Sequence, residues 1–121
     1  MAVKFLPGNR LTLLNSGAEY FPALLGAIHD ARREVHLESY IFENDDTGRA
    51  IADALASAAR RGVAVRVLVD GFGASGFADQ FQPQLAAAGV QALVYRPEIA
   101  RFRLRRHRLR RLHRKLVAID G

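Results

Sequence analysis

The chain has 121 residues, of which half are hydrophobic and a quarter are charged, and its formal net charge is +6. This length suits a single domain with a buried core, and the composition is that of a globular protein rather than a disordered one. The absence of cysteine excludes disulfide bonds, zinc–thiolate sites and thiol catalysis. No apolar run approaches the roughly 18 residues of a membrane-spanning helix, and the first residues lack the apolar stretch of a signal peptide. We therefore expect a cytosolic protein, which could also bind peripherally to a membrane.

The first half of the chain predicts two strands with a helix between them. The apolar run Leu11–Leu14 predicts a short strand, and apolar spacing predicts a helix from about Glu19 to Arg33. Pro22 fits that helix only in its first turn, where the missing N–H has no partner to lose. The segment Val35–Phe42 is rich in β-branched and aromatic residues and predicts the clearest strand.

The second half continues the alternation of helices and strands. The predicted elements are a helix from about Gly48 to Arg61, a strand at Val63–Val69, a helix from about Ala78 to Ala88, a strand at Val90–Tyr95 and a strand at Lys115–Ile119. Asp46 or Thr47 is predicted to cap the first of these helices, and Pro83 argues against an unbroken second one. The pattern predicts an α/β fold, with a mixed or mostly parallel sheet flanked by helices on both faces.

The positive charge is concentrated near the C-terminus. Residues 101–115 contain eight arginines and one lysine without any acid, so the rest of the chain carries a formal charge of −3. Such a block usually marks an anionic partner, which can be nucleic acid, a membrane surface or a phosphorylated substrate. Aromatic and aliphatic residues interleave with the arginines of 101–111 and could dip into a membrane interface.

The last nine residues carry the strongest functional signal. They read His113-x-Lys115-x-x-x-x-Asp120-Gly121 around a short apolar run. In a strand, residues two apart lie on the same face, so the spacing makes the imidazole and the ammonium neighbours. A neutral imidazole can attack phosphorus and form a covalent intermediate, and a lysine beside it can hold phosphate oxygens. Asp120 is the candidate to orient an imidazole.

This spacing resembles the HKD motif of the phospholipase D superfamily. Four further phrases resemble bacterial cardiolipin synthases of the kind without N-terminal membrane helices: Leu37–Phe42, Ala58–Val63, Val67–Gly73 and Arg111–Lys115. The similarity extends from about Gly8 to Gly121. The chain is thus identified as a partial phospholipase D-like domain, residues 1–121, that ends inside the first HKD motif.

The resemblance implies a phosphatidyltransferase that moves a phosphatidyl group between glycerophospholipids through a phosphohistidine. In that family two HKD motifs build one active site, which needs no metal or organic cofactor in most bacterial members. His113 would be the nucleophile or its acid/base partner, Lys115 would bind phosphate and Asp120 would support a histidine. The motif's usual continuation and the second motif are absent here. The missing partner is then a C-terminal half or a second chain, and these residues alone are expected to be inactive.

Four further residues are predicted to lie beside the substrate. Glu38 follows from the resemblance, Asp70 ends a predicted strand at the edge where α/β proteins gather ligands, and Arg111 and Arg114 flank His113. The same resemblance places the protein peripherally at the cytoplasmic face of the bacterial inner membrane, with the basic segment on anionic lipid.

Two alternatives remain open from the sequence. One is a phosphodiesterase of the same superfamily that acts on nucleic acid, whose affinity would fall steeply with salt. The other is a non-catalytic basic module that binds lipid or nucleic acid. The glycines Gly71, Gly73 and Gly76 match a dinucleotide-binding spacing, but no acid follows about 20 residues later, so we interpret them as a loop.

Overall fold

The computed structural model describes residues 3–97 and 110–121. The elements in chain order are α1 (Gly17–Asp30), β1 (Glu34–Ser39), α2 (Asp46–Arg60), β2 (Ala64–Asp70), α3 (Phe77–Gln80), α4 (Gln82–Ala87), β3 (Gln91–Tyr95) and β4 (Lys115–Ile119). The strands form one sheet in the order β3-β2-β1-β4. Strand β2 pairs in parallel with both β1 and β3, whereas β4 pairs antiparallel with β1. This confirms the α/β class and the mixed, mostly parallel sheet.

The core lies between one face of the sheet and the helices. Alternate residues of the two central strands are buried there, namely Val35, Leu37, Val65, Val67 and Val69. They pack against Ile28 of α1, Leu55 of α2 and Leu85 of α4. Because these apolar side chains are removed from water between the sheet and the helices, their burial is the main stabilising contribution to the fold.

The other face of the sheet is open in the described part of the chain. Leu93 and Leu116 are 68% and 44% exposed, and Arg66 is exposed beside them. The described helices thus lie on one face, where the sequence predicted helices on both. The reason is visible in the strands, since His36 and Glu38 alternate with the buried residues of β1 and give it one polar side.

The predicted strand at Leu11–Leu14 is wrong. These residues have no regular secondary structure, and Leu11 and Leu13 are 96% and 84% exposed. A strand needs a partner strand, and these residues pair with none of the four strands of the described sheet. A short apolar run carries no information about whether it will find such a partner.

The helix boundaries differ from the prediction by a few residues. The first helix begins at Gly17, so Pro22 lies inside it rather than in the first turn. The cap of α2 is Asp45, whose side chain accepts a 2.7 Å hydrogen bond from the N–H of Gly48, and not Asp46 or Thr47. Pro83 marks a break as predicted, because it lies in the first turn of α4 after the short helix α3.

None of the helices in residues 3–97 and 110–121 has the length and apolar character needed to cross a membrane.

Candidate functional site

His113 and Lys115 lie at the carboxyl edge of the parallel strands. Strands β1, β2 and β3 all end at this edge, and antiparallel β4 begins there, with Lys115 opposite Ser39 in the register. Ligand contacts in α/β proteins gather at this edge because the loops that follow the strands converge there. The topology therefore brings the start of β4, the end of β1 and the end of β2 together.

His113 and Lys115 are neighbours, as the two-residue spacing predicted. The Lys115 Nζ lies 3.1 Å from His113 Nε2 and 3.3 Å from Nδ1. Both side chains are exposed at the sheet edge. A phosphate group that approaches the ring would meet the cation at the same place.

Tyr40 lies next to both His113 and Lys115, and the sequence analysis did not predict it as a site residue. Its ring centroid lies 4.7 Å from that of His113, with an interplanar angle of 51°. The Lys115 Nζ lies 5.5 Å from the same aromatic ring, within the distance at which a cation is attracted to a ring face. The backbone N–H of Tyr40 donates a 2.9 Å hydrogen bond to the carbonyl of Arg114. The signal available in the sequence was an aromatic residue inside the predicted strand Val35–Phe42, which in the structure ends at Ser39.

The side chain of Asp70 binds the backbone of the segment that precedes His113. Its side chain is completely buried, and the N–H of Leu112 donates to its Oδ2 at 2.8 Å. The N–H groups of Phe72 and Gly73 donate to Oδ1 at 2.8 Å and 3.4 Å. Arg111 Nη1 lies 3.5 Å from the same oxygen. Asp70 thus holds the residue directly before His113, and its buried carboxylate is occupied by these contacts.

The pKa of Asp70 is lowered from 3.8 despite its burial. Desolvation by itself raises the pKa, but the hydrogen bonds from Leu112, Phe72 and Gly73 and the charge of Arg111 outweigh it. The carboxyl group is therefore ionised at neutral pH. The guanidinium of Arg111 also lies over the ring of Phe72, 5.4 Å from its centroid. Arg111, two residues before His113 in the chain, thus contacts both Asp70 and Phe72.

Asp120 lies at the far end of β4 from His113. Its carboxylate accepts hydrogen bonds from the N–H groups of residues 32, 33 and 34 at 2.9, 2.7 and 3.0 Å. These bonds, together with the charge of Arg33, hold its pKa below 3.8 against a small opposing effect of desolvation. The structure does not bring Asp120 together with His113. Within this chain the motif aspartate anchors the end of β4 to the turn before β1.

Glu38 and Arg114 pair with each other. Arg114 Nη1 donates to Glu38 Oε2 at 3.2 Å, and the arginine side chain is 64% exposed. Strand alternation places Glu38 opposite Leu116, on the side of the sheet away from Lys115. Both residues lie near the motif, but their contact is a surface ion pair of the open face.

The glycines after β2 are explained by packing. A side-chain carbon at Gly71 would collide with the carbonyl of Arg96, and one at Gly73 would collide with the carbonyl of Tyr40. The loop interpretation therefore has a steric reason. Among the described residues, no group of three or more histidine, aspartate or glutamate side chains is arranged to hold a metal ion. The arginines at 101–109 lie outside the described residues, so the prediction of a membrane-facing segment stays a prediction there.

Comparison with known proteins identifies the family. Residues 24–121 match the family described as "Cardiolipin synthase, PLD-like domain". Cardiolipin synthase B of Escherichia coli K12 is 41% identical over 121 residues, which is all of this chain and 29% of that protein. The major cardiolipin synthase ClsA of Bacillus subtilis is 38% identical over 120 residues, which cover 97% of this chain and 24% of that protein.

A solved structure supports the fold. The phospholipase D family member Nuc from Salmonella typhimurium aligns with a TM-score of 0.60 over 88% of this chain and 60% of that one, at 19% identity. The chain spans less than a third of the length of the two cardiolipin synthases it matches. It belongs to the cardiolipin synthase family of phospholipase D-like domains.

Proposed function

We propose that the complete protein carrying this chain is a phosphatidyltransferase that makes a cardiolipin-type lipid from glycerophospholipids. The observation that carries the proposal is the His113–Lys115 pair, 3.1 Å apart at the carboxyl edge of the sheet, in a chain whose relatives are named cardiolipin synthases. A nucleophile and a cation at one point suit displacement at phosphorus.

The chemistry proceeds in two displacements. The imidazole of His113 attacks phosphorus, a P–N bond forms, and the P–O bond to the departing alcohol breaks. The departing oxygen takes a proton from a second imidazole, which then removes the proton from the hydroxyl of an accepting lipid. That oxygen attacks phosphorus, the P–N bond breaks, and His113 is regenerated. Lys115 stabilises the negative charge on the non-bridging oxygens in both steps.

The second imidazole is supplied from outside the described residues. His29 is exposed at the end of α1 and contacts Asp30, and His36 contacts Glu34 and Arg66 in the open face of the sheet. Neither contacts His113. Since the matched relatives are more than three times as long as this chain, we place the second HKD motif in a further segment or in a second chain. The 121 residues by themselves are then inactive.

The proposed location is the cytoplasmic face of the inner membrane. The arginines of residues 101–111 would hold the protein on anionic lipid, and each charge near the surface contributes roughly 1 kcal/mol. Replacing four of them with glutamine in the complete protein should weaken its binding to vesicles that contain phosphatidylglycerol. Unchanged binding would contradict the membrane role of this segment.

The test of the reaction uses the complete protein and vesicles of phosphatidylglycerol. We expect cardiolipin and glycerol as products, an acid-labile phosphorylated histidine, and a loss on the order of 10³-fold in rate for His113→Ala. His29→Ala is the matched control, because that histidine is 83% exposed and contacts Asp30 rather than His113 or Lys115.

Three results would contradict the proposal. Cleavage of DNA without lipid turnover would favour the nucleic-acid alternative. Tight lipid binding without turnover of lipid or DNA would favour the binding module. Phosphodiester hydrolysis by the 121-residue chain, abolished by His113→Ala, would contradict the need for a second motif.

A further inference from the structure

An apolar pocket opens beside the reactive pair. It has a volume of about 390 Å³ and lies between the first turns of α1, the loop at 41–45 with the first turn of α2, and the β1–β4 edge of the sheet. This volume lies in the range of about 300–1,000 Å³ found for small-molecule sites. The apolar wall is made by side chains of α1, α2 and the loop: Tyr20, Phe21, Leu24, Ile41, Phe42 and Ile51.

The pocket and the reactive pair share Lys115. This lysine lines the pocket, and its ammonium also lies 3.1 Å from the His113 ring. A ligand that places an anionic group on Lys115 can therefore extend an apolar group into the pocket without leaving His113. Val117, two residues further along β4, continues the apolar wall on the same face of the strand.

The charges at the rim orient such a ligand. Three carboxylates line the pocket: Glu43 and Asp45 on the side of the loop, and Glu38, which is paired with Arg114. Asp45 is held in place by its hydrogen bond from Gly48. An anion is repelled from that side and attracted to Lys115. The phosphate of a bound diester would stay at the His113 end, and its neutral, apolar portion would occupy the rest of the pocket.

We propose that this pocket binds the diacylglycerol portion of the donor lipid, namely the glycerol backbone and the first methylenes of an acyl chain. The inference deepens the proposed function and rests on it, because the phosphate position is that of the transferred group. The apolar wall fits this ligand better than a nucleotide, whose sugar next to the phosphate is polar. Each methylene that enters the pocket should improve binding roughly 4-fold, from the usual transfer free energy of such a group.

The test is a binding measurement that does not depend on turnover. Calorimetry on the complete protein with His113→Ala compares monomeric dihexanoylphosphatidylglycerol with glycerophosphoglycerol, which has the same phosphodiester and no acyl chains. We expect the lipid to bind at least about 10-fold more tightly. Adding Ile41→Gln should weaken lipid binding about 5-fold and leave the acyl-free ligand unchanged.

Ile41 is suited to this test because its side chain is 51% exposed, so a polar replacement leaves the core intact. Leu93→Gln is the matched control, since Leu93 is 68% exposed on β3 and does not line the pocket. Equal affinities for the two ligands, or equal effects of the two glutamine variants, would overturn the inference. If the lipid preference and its loss in Ile41→Gln are observed while the protein with His113 intact makes no cardiolipin, the pocket assignment stands and the proposed function fails.

Discussion

Replacing Asp70 with asparagine should loosen the segment that positions His113. The carboxylate accepts hydrogen bonds from two loop N–H groups and from the N–H of Leu112, 42 residues away. Asparagine has nearly the same shape but offers one acceptor oxygen and one NH₂ donor. Whichever way the amide is turned, at least one backbone N–H meets another donor, and the charge that faces Arg111 is removed.

The expected loss of stability is about 2 kcal/mol. Leaving a buried donor without its acceptor costs about 1–3 kcal/mol. The N–H groups of Leu112 and Phe72 are partly buried, which argues for the middle of that range. The weakened pair with Arg111 adds to the loss, because the Nη1 atom that faces Asp70 is buried although the arginine side chain as a whole is 21% exposed.

Urea unfolding and amide hydrogen exchange measure this effect. We expect a lower urea midpoint for Asp70→Asn at an unchanged m-value. The substitution should also speed up amide exchange at Leu112 more than at Tyr40, whose N–H donates to the Arg114 carbonyl instead. In the complete protein kcat should fall by about 10- to 100-fold, because a reacting group displaced by about 1 Å has a cost of that order. Equal protection at Leu112 in both proteins would refute the positioning role.

The pH dependence gives a second check on the same residue. The folded pKa of Asp70 lies below 3.8, so its contribution is present above the unfolded pKa of about 3.9 and is lost as the pH falls through the folded value. The stability difference between wild type and Asp70→Asn should therefore be constant near pH 7 and shrink below about pH 4. A difference that persists at low pH would show that the charge is not the cause.

Two further predictions concern the ends of β4. Asp120→Asn should lower the melting temperature at pH 7, and less so below about pH 4, because hydrogen bonds from residues 32–34 depress the pKa of the carboxyl. Asparagine tolerates the local φ of 51°, so the substitution adds no backbone strain. A shifted pH profile of turnover without a melting shift would contradict the anchoring role. Tyr40→Ala should reduce kcat/KM of the complete protein about 3- to 10-fold through loss of the ring contact with His113, whereas Tyr40→Phe should be close to wild type. If the phenylalanine variant is as poor as the alanine variant, the hydroxyl and not the ring is the functional part.

The strands that were predicted well are those whose residues carry the information locally. Strand β2 consists mostly of β-branched and apolar residues, strand β1 alternates buried apolar residues with polar ones, and both start within a residue of the prediction. The run at Leu11–Leu14 is also apolar, but it pairs with none of the four described strands and remains exposed. Composition predicts the tendency to form a strand, and only the tertiary structure decides which run pairs with another strand.

The contacts around His113 and Lys115 show the same division between what the local sequence determines and what the tertiary structure decides. The sequence alone determined that His113 and Lys115 are neighbours, because a two-residue spacing in an extended chain fixes which side chains share a face. It could not determine that Asp70 holds Leu112, that Tyr40 lies against His113, or that Asp120 bonds to residues 32–34. Those contacts join residues 42 to 88 positions apart, and they exist because β4 pairs antiparallel with β1 and brings its two ends to opposite edges of the sheet.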